Sequence, residues 1–118
     1  FLAGVVVLGP PQRWWLEPLL TKASGDLLFW GTTALTAITD NAALTYLGAQ
    51  VPGLPDISKI ALVSGAVVGG GLTVIANAPN PAGYGILNPA FPGGISPLGL
   101  LAGALPPTVI ASICFWLI

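Results

Sequence analysis

Two short polar islands interrupt an otherwise apolar chain: Thr39-Asp40-Asn41, and Thr73 with Asn77 and Asn80. Carboxylate, amide, hydroxyl and carbonyl oxygens together make a donor set suited to a hard cation such as Na⁺. A carboxylate in such a set can also trade its cation for a proton, because a medium of low polarity disfavours a bare charge. The islands therefore predict ion- or proton-binding groups at Asp40, Asn41, Thr39, Thr73, Asn77 and Asn80. Other chemistry is poorly supplied. The chain has no His, and its one cysteine, Cys114, sits in an apolar run. That leaves no nucleophile–base pair, no metal triad and no disulfide framework. An enzyme is not expected, nor any cofactor beyond Na⁺ and H⁺ as transported ions.

Each polar residue also has a plainer reading. Asp40 precedes an apolar run and can cap a helix beginning at Asn41. Thr73, Asn77 and Asn80 can satisfy backbone groups where regular structure fails. Thr32, Thr33, Thr36 and Thr45 can bond the carbonyl one helical turn back. Gly69-Gly70-Gly71 is either a close-packing surface or a break. It is not a phosphate loop, since no Lys-Ser/Thr follows it.

The composition says what surrounds these islands. Charged residues make up 6% of the chain, against about a quarter in soluble domains, and 54% of residues are hydrophobic. Mean hydropathy is +0.88, and Lys59 is the last charged residue. In water such a surface would aggregate; in lipid it matches its solvent. The basic residues Arg13, Lys22 and Lys59 are too scattered for a nucleic-acid surface. The expected setting is a lipid bilayer, as a multi-pass protein.

The elements that must position the islands can be read from Gly, Pro and apolar run lengths. Residues 1–9 are too short to span about 30 Å of hydrocarbon, which takes roughly 20 helical residues. They read as the end of a transmembrane helix, closed by Pro10-Pro11. Residues 10–26 mix Trp14-Trp15 with charges and suit an interfacial, amphipathic segment. Residues 27–52 form a helical hairpin with its tip at 40–41, since an Asp-Asn pair is costly in mid-membrane unless it faces protein, water or an ion. Arms of about 13 and 10 residues would each be about 15–20 Å long. Residues 53–56 are a turn, with Asp56 or Ser58 available to cap the next helix. Residues 57–88 read as a discontinuous transmembrane helix broken within 69–81, at Gly69, Gly70, Gly71, Pro79 and Pro81. A loop at 89–97 leads to a last helix over 98–118, kinked at Pro106-Pro107. Both ends lie in apolar runs and there is no initiator Met, so the chain is expected to be a fragment of a longer membrane protein.

These residues carry a resemblance. Thr39-Asp40-Asn41-Ala42-Ala43-Leu44-Thr45 and Gly69-Gly70-Gly71-Leu72-Thr73-Val74-Ile75-Ala76-Asn77-Ala78-Pro79-Asn80 resemble the paired motifs of the ion transporter superfamily. That grouping includes NhaD-like sodium/proton antiporters, arsenite permeases and divalent anion symporters. Within it the chain most resembles a bacterial Na⁺/H⁺ antiporter family, over about Leu27 to Phe91. The resemblance implies an all-α integral membrane fold with two inverted repeats, each a re-entrant hairpin followed by a discontinuous helix. This chain would hold the second repeat. Asp40-Asn41 would fall at the hairpin tip and Gly70 to Asn80 at the break facing it, with Na⁺ between them. The missing first repeat of the same polypeptide and a second copy, as a homodimer, are the partners it implies.

Departures from the pattern bear on the ion. Symporter relatives often carry Ser-Asn-Thr at the tip, where this chain has Asp40-Asn41-Ala42, which favours cation or proton exchange. Ala76-Asn77 stands where relatives often have a Gly, adding an amide beside the break. The leading expectation is a secondary active transporter exchanging Na⁺ for protons. The alternatives are an ion-coupled transporter of a small carboxylate or oxyanion, or a non-transporting structural membrane segment.

Overall fold

A computed structural model describes residues 2–117. They form helices joined by turns and loops, with no strand among the described residues, and the fold is all-α. Helix α1 covers Leu2–Leu8 and gives way to a 3-10 turn at Pro10–Gln12, where the prolines cannot donate to a continuing ladder. Helix α2 follows over Arg13–Lys22, with Arg13 and Glu17 paired one turn apart at 3.2 Å. Helix α3 covers Gly25–Ile38; Ser24 caps it by accepting the Leu27 N–H at 3.2 Å, and Asp26 in its first turn complements the helix dipole. Two residues later α4 begins, over Asn41–Ala49.

A turn at Val51–Pro55, with Gly53 at φ 76°, leads into α5, Asp56–Gly69. Neither Asp56 nor Ser58 caps this helix, as the sequence suggested either would. Pro55 occupies the cap position with no side-chain bond, Asp56 binds Lys59 at 2.9 Å, and Ser58 is buried. Proline explains the difference: its fixed φ sets the entry geometry without needing a side-chain acceptor. Residues 70–79 have no regular helix; α6 then covers Asn80–Leu87, and a 3-10 turn Asn88–Ala90 leads to a loop. Helix α7 covers Pro97–Trp116, capped by Ser96, and its helical assignment runs through Pro106 and Pro107. It is the one described helix long and apolar enough to cross a membrane, judged by length and composition.

The packing centres on α3 and α5, which lie side by side and run the same way. A Cβ on Gly65 would collide with the Phe29 carbonyl and the Thr32 hydroxyl; one on Gly69 would strike the Thr33 carbonyl and come within 2.8 Å of the Thr36 Cβ. Glycines one turn apart thus let the two backbones approach, with Thr32, Thr33 and Thr36 buried along the seam. Helix α4 returns antiparallel to α5: Asn41 lies by Gly70, while a Cβ on Gly48 would sit 2.7 Å from Leu62 Cδ1. A small cluster of Leu16, Val51 and Leu54, with Leu20 and Leu47 against it, fastens α2 to the turn after α4. Helix α7 runs back the other way, and its Trp116 reaches Asp26 at the start of α3.

The whole is a slab, 50 × 35 × 16 Å. Large side chains such as Ile38 (67% exposed), Ile57 (72%) and Ile110 (64%) therefore point outward. In water that surface would oppose folding; in an apolar solvent it costs little.

Candidate ion site at the α3–α4 turn

Helix α3 stops at Ile38 because Thr39 leaves helical geometry, and Asp40 in extended conformation starts α4. The Asp40 carboxylate accepts the backbone N–H groups of Ala42 and Ala43 through Oδ1, at 2.8 and 3.2 Å. The plainer reading of Asp40 as a helix cap is thus met. Its second oxygen, Oδ2, takes part in no hydrogen bond among the described residues, and the side chain is half-buried. One carboxylate can both cap and coordinate, because each oxygen carries its own lone pairs.

The break after α5 lies against this turn. Three glycines weaken the helix at its end, and Gly70 N–H closes it with bonds to the Ala66 and Val67 carbonyls at 3.1 and 3.3 Å. Two contacts then tie break to turn. The Asn41 N–H donates to the Ala76 carbonyl at 3.2 Å, and the Thr73 hydroxyl donates to the Ala37 carbonyl at 2.6 Å. The Asn41 side chain lies over Gly70, where an added Cβ would come within 3.2 Å of its amide nitrogen. Asn80, the first residue of α6, reaches back with its amide to the carbonyls of Gly70 and Thr73, at 2.9 and 2.8 Å. In this way Asn80 replaces the ladder partners that the break removes.

Of the residues singled out by sequence, Asp40, Asn41, Thr73 and Asn80 are brought to one joint. Asn77 is half-buried within the break and its side chain makes no hydrogen bond among the described residues. Thr39 is not brought in: it is exposed and its hydroxyl donates to the Leu35 carbonyl of its own helix at 2.7 Å. Pro79 precedes α6 and Pro81 lies in its first turn, where a missing N–H is harmless.

One residue gains weight that sequence spacing does not give it. Thr33 and Thr45 donate to carbonyls one turn back, at 2.8 and 2.9 Å, and Thr32 does the same to Leu28. Thr36 has the same spacing and is fully buried, yet its hydroxyl has no hydrogen-bond partner. It sits in the last turn of α3, against Gly69 at the end of α5. A buried hydroxyl is ordinarily bonded, so this exception calls for a physical reason.

Helix ends of both polarities meet at the joint, together with one carboxylate. The C-terminal ends of α3 and α5 both arrive here, each bringing the negative end of a helix dipole and unpaired carbonyl lone pairs. The positive N-terminal ends of α4 and of the short α6 are also present; Asp40 occupies the first, and α6 begins at Asn80, whose amide holds the Gly70 and Thr73 carbonyls. The other charged residues of the chain lie on 13–26 and 56–59, toward the opposite ends of α3 and α5. No cluster of three or more His, Cys, Asp or Glu exists among the described residues.

A protein-family model described as "Putative Na+/H+ antiporter" matches the chain over residues 1–118. Neither a curated protein nor a solved structure matches it.

Proposed function

The chain belongs to this Na⁺/H⁺ antiporter family, and from that premise we propose that it exchanges Na⁺ for protons at the joint between the α3–α4 turn and the break after α5. In this reading α3 and α4 are a re-entrant hairpin entering the bilayer from the end that carries the six other charges. Helix α5, the break and α6 form one discontinuous crossing and α7 another, within a multi-pass protein of the cell membrane. The hairpin and broken helix would form the second of two inverted repeats, with the first repeat completing the site and a second copy completing a dimer.

The observation that carries the proposal is the meeting of two helix C-termini, those of α3 and α5, beside the turn that bears Asp40. Carbonyl-rich, negatively polarised helix ends favour a cation, and broken helices in transporters coordinate Na⁺ in this manner. Asp40 supplies the charge through Oδ2, while Oδ1 holds α4 in place. The Thr36 hydroxyl, Asn41, Asn77 and break carbonyls supply neutral oxygens. Asn80 positions the Gly70 and Thr73 carbonyls through its amide, and Thr73 ties the break to α3 through the Ala37 carbonyl. Na⁺ and H⁺ compete for one carboxylate, so either can occupy it and neither requires the other. A small anion is poorly suited, since Asp40 already takes the free N–H groups of α4 that would bind it.

The test uses the intact protein in sealed proteoliposomes with a pH-sensitive dye inside, under imposed Na⁺, K⁺ or Li⁺ gradients. Wild type should show a cation-dependent pH change, and Asp40→Asn should lose it. Exchange retained in Asp40→Asn would overturn the assignment.

A further inference from the structure

Asp26 is a carboxylate outside the ion site, and among the described residues it has no ionic partner. The ion pairs there are Arg13–Glu17 and Lys59–Asp56. Asp26 Oδ1 instead accepts the indole N–H of Trp116 at 3.1 Å, joining the start of α3 to the end of α7. Beneath this bond lies a cavity of about 260 Å³ between α3, α5 and α7. Its walls include the rings of Phe29, Phe115 and Trp116, and Asp26 is the one charged residue among those lining it. Ile57 and Ile60 form its third side, 72% and 60% exposed. From them an outward stripe continues along α5 through Ser64 to Val67, which is 55% exposed. That stripe is about 15 Å long at 1.5 Å per residue, close to half of a bilayer's apolar thickness.

We propose that this cavity is a lipid site that selects the primary ammonium headgroup of an aminophospholipid of the phosphatidylethanolamine class. The ammonium donates to Asp26 and rests against the faces of Trp116 and Phe115, a charge-assisted hydrogen bond supported by cation–π attraction. One acyl chain lies along the stripe of α5 and covers its apolar surface. A choline headgroup carries the charge without N–H donors, and a glycerol headgroup carries no cation at all, so both fit less well. The inference shares with the proposed function only the placement of the chain in a bilayer; ion exchange plays no part in it.

Binding is read on the intact protein in detergent, by native mass spectrometry and by thermal unfolding. The added lipids are phosphatidylethanolamine, phosphatidylcholine and phosphatidylglycerol with identical acyl chains. Phosphatidylethanolamine should bind at least about fivefold more tightly than the others and raise Tm the most. Asp26→Asn should weaken it about tenfold and abolish the preference, while Asp26→Glu retains much of it. Ile60→Trp, which fills the cavity and leaves the carboxylate alone, should block the lipid whether or not Asp26→Asn folds. Equal binding of the three lipids, a preference for phosphatidylglycerol, or an unchanged preference in either Asp26→Asn or Ile60→Trp would overturn the proposal. Because lipid binding is measured without a gradient, loss of transport with this preference intact would count against the ion site alone.

Discussion

Replacing Thr36 by Val should move stability and ion response in opposite directions. The residue is 0% exposed and its hydroxyl has no partner, a situation that costs about 1–3 kcal/mol relative to a satisfied or apolar group. Valine has nearly the same shape and removes the orphan. In a buffer whose only cation is choline, Thr36→Val should therefore be more stable by about 1–2 kcal/mol, a rise of several degrees in Tm. Sodium then acts on wild type by mass action: at a hundred times Kd it adds about 2.7 kcal/mol. Loss of one coordinating oxygen that weakens binding about tenfold reduces that increment to about 1.4 kcal/mol at the same Na⁺ concentration. The two proteins should thus differ clearly in choline and converge in sodium. Thr36→Ser, which keeps the oxygen, should retain the full sodium increment. The assay is thermal unfolding of the intact protein in detergent across a Na⁺ titration at constant ionic strength. A Thr36→Val protein less stable than wild type in choline would show that the hydroxyl is satisfied. An unchanged sodium increment would show that it does not touch the ion.

Other substitutions test the scaffold around the same joint. Gly69→Ala drives a methyl into the Thr33 carbonyl and the Thr36 side chain and should cost about 1–3 kcal/mol or more. Gly71→Ala, where nothing lies within 4 Å, should stay within about 0.5 kcal/mol of wild type; folded yield and Tm separate the two. Asn80→Ala removes the bonds to Gly70 and Thr73, so amide exchange across residues 70–80 should rise while that of α7 is unchanged. Asp40→Ala should lose about 1 kcal/mol of helix capping that Asp40→Asn largely keeps, since an amide oxygen still accepts from Ala42 and Ala43. Unfolding measurements on the two variants without Na⁺ check that difference.

The range of each interaction decides whether it is legible in the amino-acid sequence. Helix ends are local events. Gly69 to Gly71 and Pro79 to Pro81 cannot sustain a ladder, and α5 ends at Gly69 while α6 begins at Asn80. Asp40-Asn41 likewise advertises a cap before an apolar run, and α4 starts there. Thr36 is invisible for the opposite reason. Thr32, Thr33 and Thr36 share residue type and helical setting, and nothing in the sequence distinguishes Thr36, whose hydroxyl alone of the three is left without a partner. Thr39 shows the converse, a residue adjacent to the carboxylate in sequence but turned outward on its helix. Asp56 and Ser58 both mislead as caps of α5 because Pro55 sets the helix start through its ring geometry, a role that leaves no acceptor to recognise. The bond from Asp26 to Trp116 links residues far apart along the chain, and no local pattern encodes it.

The segregation of charge toward the starts of α3 and α5 also has an electrical meaning. Helix α3 has 14 residues and so sets Asp40 about 20 Å from the end where the other charges gather. If that end marks the membrane surface, an ion reaching Asp40 from it has crossed about two thirds of an apolar layer about 30 Å thick. At about 2.3 kcal/mol per elementary charge per 100 mV, each 100 mV then shifts its binding by about 1.5 kcal/mol, roughly tenfold in affinity. Na⁺ and H⁺ carry the same charge to the same depth, however, so the electrical work of binding one is recovered when the other leaves. On the proposed exchange, each half-reaction at Asp40 would be voltage-sensitive, while a one-for-one exchange there would be electroneutral and driven by concentration gradients alone.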